Sequence, residues 1–235
     1  MISDSVVAYD FGRQYPRGFR RKTNVKDTLG RPDREIRTLL AALKATRSQI
    51  EFQDQMLENL GDLQEKETRW QHPGLDDILF EASYLHKHHA HASASRCGCS
   101  TDNSPYDICD EALEIECDDL GCDDNYIIRQ RIGTTKKKAS VYIGTIASAD
   151  TVMKSGEHRD AITKLEGVLG FGMEAAGVWD NIPCIIVKGV CDYADSHKRK
   201  TWQCYAAATG ASAAKAFLGH WKPVVNDGAR TQAVV

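Results

Sequence analysis

Residues 170–197 read GFGMEAAGVWDNIPCIIVKGVCDYADSH, and this stretch gives the strongest indication of the fold. One acidic residue, Glu174, lies in a Met-Glu-Ala-Ala-Gly turn, and a second, Asp192, follows the apolar run at residues 182–187. That run is short and rich in Ile and Val, as is typical of a strand covered on both faces. Because ligands of open α/β sheets bind beyond the carboxyl ends of such strands, Asp192 is expected at a ligand site. In this arrangement, one carboxylate suits the binding of a sugar and the other suits the binding of a heterocyclic base in the same pocket.

The bulk properties indicate a single domain. The chain has 235 residues, enough to bury a sizeable core, and its net charge of −3 gives no reason to expect a nucleic acid or a membrane as a partner. The apolar runs are too short to span a bilayer, and the N-terminus lacks the features of a secretory signal. The eight cysteines are therefore interpreted as reduced thiols, and a cytoplasmic protein is predicted.

Hydrophobic periodicity predicts alternating strands and helices. Besides residues 182–187, strands are expected at residues 5–9, 141–146 and 168–171. Helices are expected after Pro32-Asp33, around residues 56–63, 158–165 and 202–218, and after Asp76 or Asp77. The last of these would carry Ile78, Leu79, Ala82 and Leu85.

Residues 86–138 form an unusual insertion with few aliphatic side chains. The insertion holds four histidines, five cysteines between Cys97 and Cys122, an acidic run and a basic run. Such a composition predicts a poorly packed loop or arm. The cysteine spacings Cys97-x-Cys99 and Cys117-x4-Cys122 form no paired C-x2-C knuckles, so thiols at the surface are the first interpretation and a zinc site is the alternative. The last segment, residues 222–235, is expected to be a disordered tail.

Three motifs in the second half of the chain resemble the purine nucleoside phosphorylase and nucleosidase superfamily. They are MEAAG at residues 173–177, KGVCDYADSHK at 188–198 and WQCYAAAT at 202–209. The similarity is greatest to the branch found as an N-terminal module of fungal NLR-like and repeat-containing proteins. Upstream segments match the same branch in order, namely YDFGR at 9–13, GF at 18–19, YIGTIAS at 142–148 and EHRD at 157–160.

The resemblance implies a three-layer αβα fold with a twisted mixed sheet, spanning residues 1–221. It also implies cleavage of the N-glycosidic bond of a purine nucleoside or nucleotide, by phosphate or by water. No metal or organic cofactor is implied, although phosphate would serve as co-substrate of a phosphorylase. The family's N-terminal part, with its Gly-rich loop, has no counterpart before Val6, so the chain is expected to lack part of the module and to be impaired in activity.

A sheet that is incomplete leaves unpaired strand edges, so a homo-oligomer is expected. The alternative function, from a different class, is a non-catalytic ligand-sensing or protein-interaction module derived from the same fold.

The resemblance also implies roles for individual residues. Cleavage requires an acid that protonates the departing base and a group that holds the ribose hydroxyls. Asp192 would be the catalytic acid, with a pKa raised by burial at a strand end. Glu174 would bind the ribose hydroxyls, and Met173 would pack on the sugar. The remaining candidates, at the base or sugar, are Phe171, Val152 and Met153.

Each role has a structural alternative. Glu174 also suits the N-terminus of a helix, where the helix dipole stabilises an acid, and Asp192 also suits a turn. Asp195 fits a turn or capping role better than a catalytic one and is not assigned to the site. Phe171, Val152 and Met153 could equally be core residues. The basic segment at residues 197–200 is interpreted as a solvated patch, with contact to substrate phosphates as the alternative.

Three residues depart from the family's pattern. Gly172 stands where the family has a second Glu, Lys188 replaces an Arg, and Ala149 replaces the Gly of an Ala-Ser-Gly turn. Lys cannot reproduce the bidentate fork of Arg, and Ala lacks the conformational freedom of Gly. These departures favour reduced activity.

Overall fold

The computed structural model describes residues 1–24, 28–89, 99, 110–131, 138–198 and 200–221. These residues form a mixed α/β structure with a parallel sheet and two small antiparallel sheets. The strands are β1 Ile2–Ala8, β2 Gly12–Tyr15, β3 Gly18–Arg21, β4 Asp77–Phe80, β5 Ile127–Arg131, β6 Ile143–Ser148 and β7 Gly170–Gly172. The helices are α1 Arg34–Leu43, α2 Thr46–Lys66, α3 Cys117–Leu120, α4 Gly156–Glu166, α5 Ala175–Trp179 and α6 Gln203–His220. The predicted tail at residues 222–235 lies outside the described residues.

The central sheet has the order β1-β6-β7, and both pairings are parallel. Strands were expected at all three positions, and the structure has them there. The expected single mixed sheet is not seen: the described strands fall into three sheets, and the antiparallel pairs β2-β3 and β4-β5 are separate from the parallel one.

The strand predicted at residues 182–187 is wrong. This segment runs beside the start of β1, where the N–H of Ser3 donates to the Ile186 carbonyl at 2.9 Å, but the pairing amounts to an isolated bridge, between Ile2 and Val187, and not to a strand. The N–H of Ile186 donates to the Ser3 hydroxyl at 2.8 Å instead of to a backbone carbonyl, and Pro183 has no N–H to donate. The segment is also only half-buried. The apolar side chains of residues 182–187 therefore place the segment beside the sheet, but its backbone does not form a continuous hydrogen-bonded ladder with β1.

A bulge in β1 lets this short strand contribute side chains to two apolar clusters. The pairing register with β6 shifts between Ser3 and Ser5, which inserts one residue and reverses the alternation of side chains. Ile2 consequently packs with α1, α2 and α6, whereas Val6 packs with Ala175 and Trp179 of α5. Without the bulge, both side chains would point to the same face of the sheet.

Helices α1, α2 and α6 form the larger core. Asp33 caps α1, its carboxylate accepting from the N–H of Glu35 at 2.8 Å. The predicted apolar face of α1 is confirmed, since Ile36, Leu40 and Leu43 are all buried. Small residues line the buried side of α6 and let α2 approach closely. Each large apolar side chain that is fully buried in this core contributes roughly 1.5–3 kcal/mol to the stability of the fold.

The helix predicted after Asp76 or Asp77 is also wrong, because this segment forms β4. Its partner is β5, about fifty residues later, in the segment predicted to be a loose insertion. Nothing local distinguishes the apolar pattern of β4 from that of a short helix, so the strand depends on a distant partner. The segment between β1 and α1, where no strand was expected, likewise contains the β2-β3 hairpin.

The described part of the 86–138 insertion is better packed than expected. Ala112 and Leu120 are fully buried in a small cluster that also includes Cys99. Cys99 and Cys117 are buried, so the prediction of surface thiols is wrong for these two; Cys97 and Cys109 lie outside the described residues. Among the described helices, none has the length and apolar character needed to cross a membrane.

Candidate functional site

A cavity of about 570 Å³ opens at the carboxyl ends of β6 and β7. Most of its wall comes from the segment after β6, helix α4, the β7 strand with the residues on either side of it, and residues 188–194, and the residues at either end of β1 and the β4-β5 hairpin complete it. The volume lies within the range of small-molecule pockets, roughly 300–1,000 Å³. Of the six candidate residues, five line this cavity: Val152, Met153, Phe171, Met173 and Asp192.

Residues 188–192 reach this position because they lie tightly against α6. A Cβ atom at Gly189 would overlap the carbonyl oxygen of Ala206, and Gly210 leaves room for the backbone of Gly189. The close contact fixes the path of the chain into Asp192. The GVCDY motif and the YAAATG motif each contribute one glycine to this contact. Together the two motifs therefore position Asp192 at the site.

Asp192 is half-buried and surrounded by donors. Its carboxylate accepts from the N–H of Ala194 at 2.9 Å and from the Cys191 thiol at 3.1 Å, and it pairs with Lys198 at 3.4 Å. Burial acts to raise the pKa of Asp192, but the Ala194 hydrogen bond, the Lys198 charge and the Cys191 thiol together lower it below its usual value. The expected raised pKa is therefore wrong for this arrangement, in which Asp192 is a carboxylate at neutral pH.

The Cys191 thiol stays protonated. Burial and the neighbouring Asp192 carboxylate raise the pKa of Cys191 to about 11. A thiolate nucleophile at this position is therefore excluded, and Cys191 acts as a hydrogen-bond donor to Asp192.

The turn after Asp192 is held by an arginine of α4. Arg159 donates to the carbonyl of Tyr193 at 2.9 Å and pairs with the buried Asp195 at 3.3 Å. Asp195 also accepts from the N–H of His197 at 2.9 Å, which bears out its assignment as a turn residue. Ala194 has a φ of +54°, a conformation that costs a non-glycine residue of the order of 1 kcal/mol. The surrounding contacts hold this turn in place.

The aromatic and apolar candidates form one side of the cavity. Phe171 packs edge-on against Tyr9, with ring centroids 5.7 Å apart, and the Tyr9 hydroxyl donates to the carbonyl of Thr151 at 3.2 Å. Val152 is 53% exposed and Met173 is 40% exposed. The core alternative is therefore excluded for Val152, whose side chain lies open at the cavity, while Phe171 and Met153 are half-buried.

Glu174 lies next to the cavity but is not among the residues described as lining it. It occupies the N-cap position of α5, as its structural alternative predicted, yet caps no helical N–H through its side chain. Its carboxylate turns back and accepts from the N–H of Met173 at 3.2 Å. Backbone hydrogen bonds, from its own N–H first and then from Met173, lower the pKa of Glu174, and the Lys188 charge adds to the effect.

Gly172 and Lys188, two of the three positions that depart from the pattern of the resemblance, are neighbours in space. A Cβ atom at Gly172 would be in ordinary van der Waals contact with Nζ of Lys188, at 3.4 Å, and with the Glu174 carboxylate, at 3.7 Å. The Lys188 side chain therefore lies directly beside residue 172. Ala149 does not have a positive φ and donates its N–H to the Gly172 carbonyl at 3.3 Å, so the missing glycine costs no strain there.

The interpretation of residues 197–200 as a solvated patch is wrong for His197 and Lys198. His197 stacks on Phe80 with ring centroids 4.2 Å apart, and Lys198 pairs with Asp192. Lys200 is exposed, as expected of a solvated residue, in an ion pair with Glu114; Arg199 lies outside the described residues. Lys198 is thus a site residue that sequence reasoning missed, and so is Arg159. Their acidic partners were visible in the sequence, but their proximity depends on the tertiary fold.

A smaller cavity, of about 280 Å³, lies on the other side of Asp192 and Tyr193. The Tyr193 hydroxyl donates to Asp77 of β4 at 2.5 Å, and the Arg129 guanidinium of β5 lies over the Tyr193 ring at 4.9 Å. Tyr193 and Arg129 line both cavities. The β4-β5 hairpin therefore forms a wall of the site, which the sequence did not indicate.

Comparison with known proteins gives one informative similarity. The chain is 31% identical, over 214 residues, to a Nucleotide-binding leucine-rich repeat (NLR)-like protein of Hyaloscypha variabilis. The match covers 91% of this chain but only 18% of that protein. No protein-family model matches the chain, and no solved structure matches it. The chain is thus similar to a small part of a much longer NLR-like protein.

Proposed function

We propose that the larger cavity binds a purine nucleoside or nucleotide and that Asp192 takes part in cleavage of its N-glycosidic bond. The observation that supports this most is the gathering of Phe171, Val152, Met153 and Met173 around one cavity beside Asp192. An aromatic ring and flexible apolar side chains suit a purine and a sugar, and a carboxylate at the far wall suits a ring nitrogen of the base. In this proposal the αβα fold of the nucleoside phosphorylase superfamily provides the scaffold.

The cavity also carries an excess of cationic groups. Lys188, Lys198 and Arg129 line it in addition to Arg159, which is engaged by Asp160 and Asp195. Such groups favour an anion, either the phosphate of a nucleotide or a phosphate co-substrate. If an anion draws Lys198 away, Asp192 loses its nearest cation, and the pKa of Asp192 rises towards the value that a general acid needs. Binding of the anion and protonation of Asp192 are coupled in this way.

Glu174 would have to turn by rotation of its side chain to reach a ribose. Its present hydrogen bond to the Met173 N–H is exposed to solvent, so the carboxylate can exchange it for hydrogen bonds from ribose hydroxyls. Met173, the residue before it, is already at the cavity.

A non-catalytic ligand-sensing module is the second candidate. The observation that favours it is the ionised state of Asp192, which has no proton to donate in the arrangement seen. The similar NLR-like protein is named as nucleotide-binding, and a sensing module of such a protein would need ligand recognition without turnover. Both candidates use the same cavity, and they differ in whether the base is released.

The test measures binding and base release separately. Adenosine, guanosine and their monophosphates are titrated calorimetrically, and free base is followed by chromatography with and without phosphate. We expect release by the wild-type protein and a loss of about 10²–10⁴-fold in Asp192→Asn. Asp62→Asn, in an exposed ion pair on α2, is the matched control and should behave as wild type.

The outcomes separate the two candidates. Binding without release identifies the sensing module. Release that Asp192→Asn leaves unchanged contradicts the role of Asp192. Absence of both binding and release for all these ligands contradicts the proposed function as a whole.

A further inference from the structure

A cluster of metal-binding side chains lies outside the cavity. The ligand atoms of His86, Cys117 and Cys122 all lie within 4.8 Å of one another. Nδ1 of His86 is 3.7 Å from the Cys117 sulfur and 3.9 Å from the Cys122 sulfur. His86 and Cys117 are buried, with 7% and 4% of their surface exposed.

These distances suit a zinc ion. Zinc binds thiolate sulfur at about 2.3 Å and imidazole nitrogen at about 2.0–2.1 Å, so two ligand atoms of a tetrahedral site lie roughly 3.5–3.8 Å apart. The measured separations therefore need only small side-chain movements to surround the ion. A softer or harder metal fits less well, because a set of two sulfurs and one nitrogen is typical of zinc.

The backbone brings the two thiols to the same side. Cys117 begins α3, and Gly121 ends it in the left-handed conformation with φ of 72°. The N–H of Cys122 then donates back to the carbonyl of Cys117 at 3.0 Å. A turn of this kind makes a local pair of ligands from a spacing that is not a C-x2-C knuckle.

The imidazole of His86 is also oriented for metal binding. Its Nε2 lies 2.9 Å from the carbonyl of Ile115, so a hydrogen on Nε2 donates there and Nδ1 faces the thiols with its lone pair. A carbonyl that fixes the tautomer of a histidine in this way is the usual outer contact of a zinc ligand. An ordinary buried histidine needs no such pairing of one nitrogen with a carbonyl and the other with two thiols.

Among the described residues, the apolar packing around the cluster is small. Its buried members are Cys99, Ala112 and Leu120, with Ile115 and Cys122 packed against them. Small units with so little apolar core commonly depend on a metal or a disulfide. The three ligands leave a fourth coordination position, which water can fill.

We propose that His86, Cys117 and Cys122 bind one zinc ion, which fixes the described part of the insertion against the segment that carries Asp192. The link is direct, since the N–H of His86 donates to the Ser196 hydroxyl at 3.0 Å and its ring packs edge-on against His197 at 5.3 Å. The site is structural and independent of whether the cavity is catalytic. Binding releases the two thiol protons and adds its free energy to that of folding.

Metal content of the full chain tests the proposal. After purification under reducing conditions, elemental mass spectrometry should find about one zinc ion per chain. Zinc should be lost from Cys117→Ser and from Cys122→Ser. Cys204→Ser, which changes an exposed thiol of α6, should retain it.

A second measurement uses the wild-type protein, in case the variants fail to fold. Zinc is removed by a chelator and Co²⁺ is added, which should give the near-ultraviolet absorption of thiolate bound to cobalt and lose it when zinc is returned. Hydrogen exchange of residues 192–197 should increase when the metal is removed.

Three results would overturn the proposal. The first is reduced wild-type protein with neither zinc nor a cobalt–thiolate absorption. The second is a disulfide between Cys117 and Cys122 in its place. The third is zinc retained by folded Cys117→Ser. Unchanged exchange at residues 192–197 would contradict the link to the Asp192 segment.

Discussion

Asp192 is held as a carboxylate by three neighbours, and this state has a consequence for stability. Because its folded-state pKa lies below the unfolded value, the ionised group stabilises the fold above the unfolded pKa. That contribution is lost as the pH falls through the folded-state pKa. The same contacts oppose the protonation that a general acid requires. A bound anion can draw Lys198 away from Asp192. Lys198 therefore controls both the contribution of Asp192 to stability and its protonation.

Replacement of Lys198 should therefore raise the pKa of Asp192. In Lys198→Met, the Asp192 carboxylate keeps the Ala194 and Cys191 hydrogen bonds but loses its ion pair. Burial raises the pKa of Asp192, and with Lys198 gone fewer groups counteract that rise. A carbon NMR titration of the Asp192 carboxyl, assigned by its absence in Asp192→Asn, measures the change. Lys200→Met removes a nearby ion pair, with the exposed Glu114, and is the control.

An Asp192 pKa that is equal in Lys198→Met and wild type would show that the hydrogen bonds from Ala194 and Cys191 lower it without help from Lys198. An equal rise in Lys200→Met would point to net charge as the cause instead of contact.

At the residue scale, the sequence was informative about acids and apolar contacts but not about their cationic partners. Asp192 and four apolar or aromatic candidates come together at one cavity, as the order of motifs suggested. A run of basic residues is usually exposed, so the sequence predicts a solvated Lys198. Its pairing depends on the sharp turn at Ala194, and a positive φ at an alanine leaves no signature in sequence.

At the element scale, local pattern predicted helices better than strands. Helices α1, α2, α4 and α6 have apolar periodicity or Ala-rich composition, and α1 and α4 also have side-chain caps at Asp33 and Ser155. Strand β4 has only four residues, and the segment at 182–187 has the composition of a strand without the ladder. Strand formation depends on a partner that is distant in sequence, so composition alone could not decide either case.

Helix α4 is joined to the Asp192 turn by one buried ion pair, which makes a prediction about stability. Arg159→Met leaves Asp195 buried without its cation and should destabilise the protein by roughly 3 kcal/mol at neutral pH. Burial already raises the pKa of Asp195, and loss of Arg159 raises it further. Because the pKa of Asp195 is raised by folding, the loss of stability in Arg159→Met is small below the unfolded-state pKa of Asp195. The loss grows as the pH rises through its folded-state pKa.

Denaturant unfolding at several pH values measures this effect. Arg159→Met should approach wild type in acid, and the double variant Arg159→Met/Asp195→Asn should recover much of the stability at neutral pH. Arg47→Met, which removes an exposed ion pair of α2, should change little. A pH-independent loss, or no recovery in the double variant, would mean that Arg159 acts by packing and not by charge.

At the scale of the whole molecule, the site is assembled from segments that are far apart in the chain. Tyr193 meets Asp77 across more than a hundred residues, and the wall made by β4 and β5 comes partly from the insertion. The sequence predicted this insertion to be loose because it is polar. Its described part is instead held by aromatic stacking, as between Tyr84 and Tyr126 at 4.2 Å. Such contacts arise between scattered single residues and produce no periodic pattern.

Exposed apolar residues at the cavity predict self-association. Val152, Met173 and Val190 all lie at the cavity and are exposed, with Val190 at 57%. Apolar surface at the mouth of a pocket is covered by a ligand or by another chain, and a homo-oligomer is what the sequence leads us to expect. Sedimentation at micromolar concentration should therefore show dimers or larger species. Val152→Ser/Val190→Ser should weaken this association, whereas Leu218→Ser, at an equally exposed position of α6, should not. A compact wild-type monomer would contradict the prediction. Equal weakening by both variants would show that association depends on exposed apolar surface in general and not on the cavity.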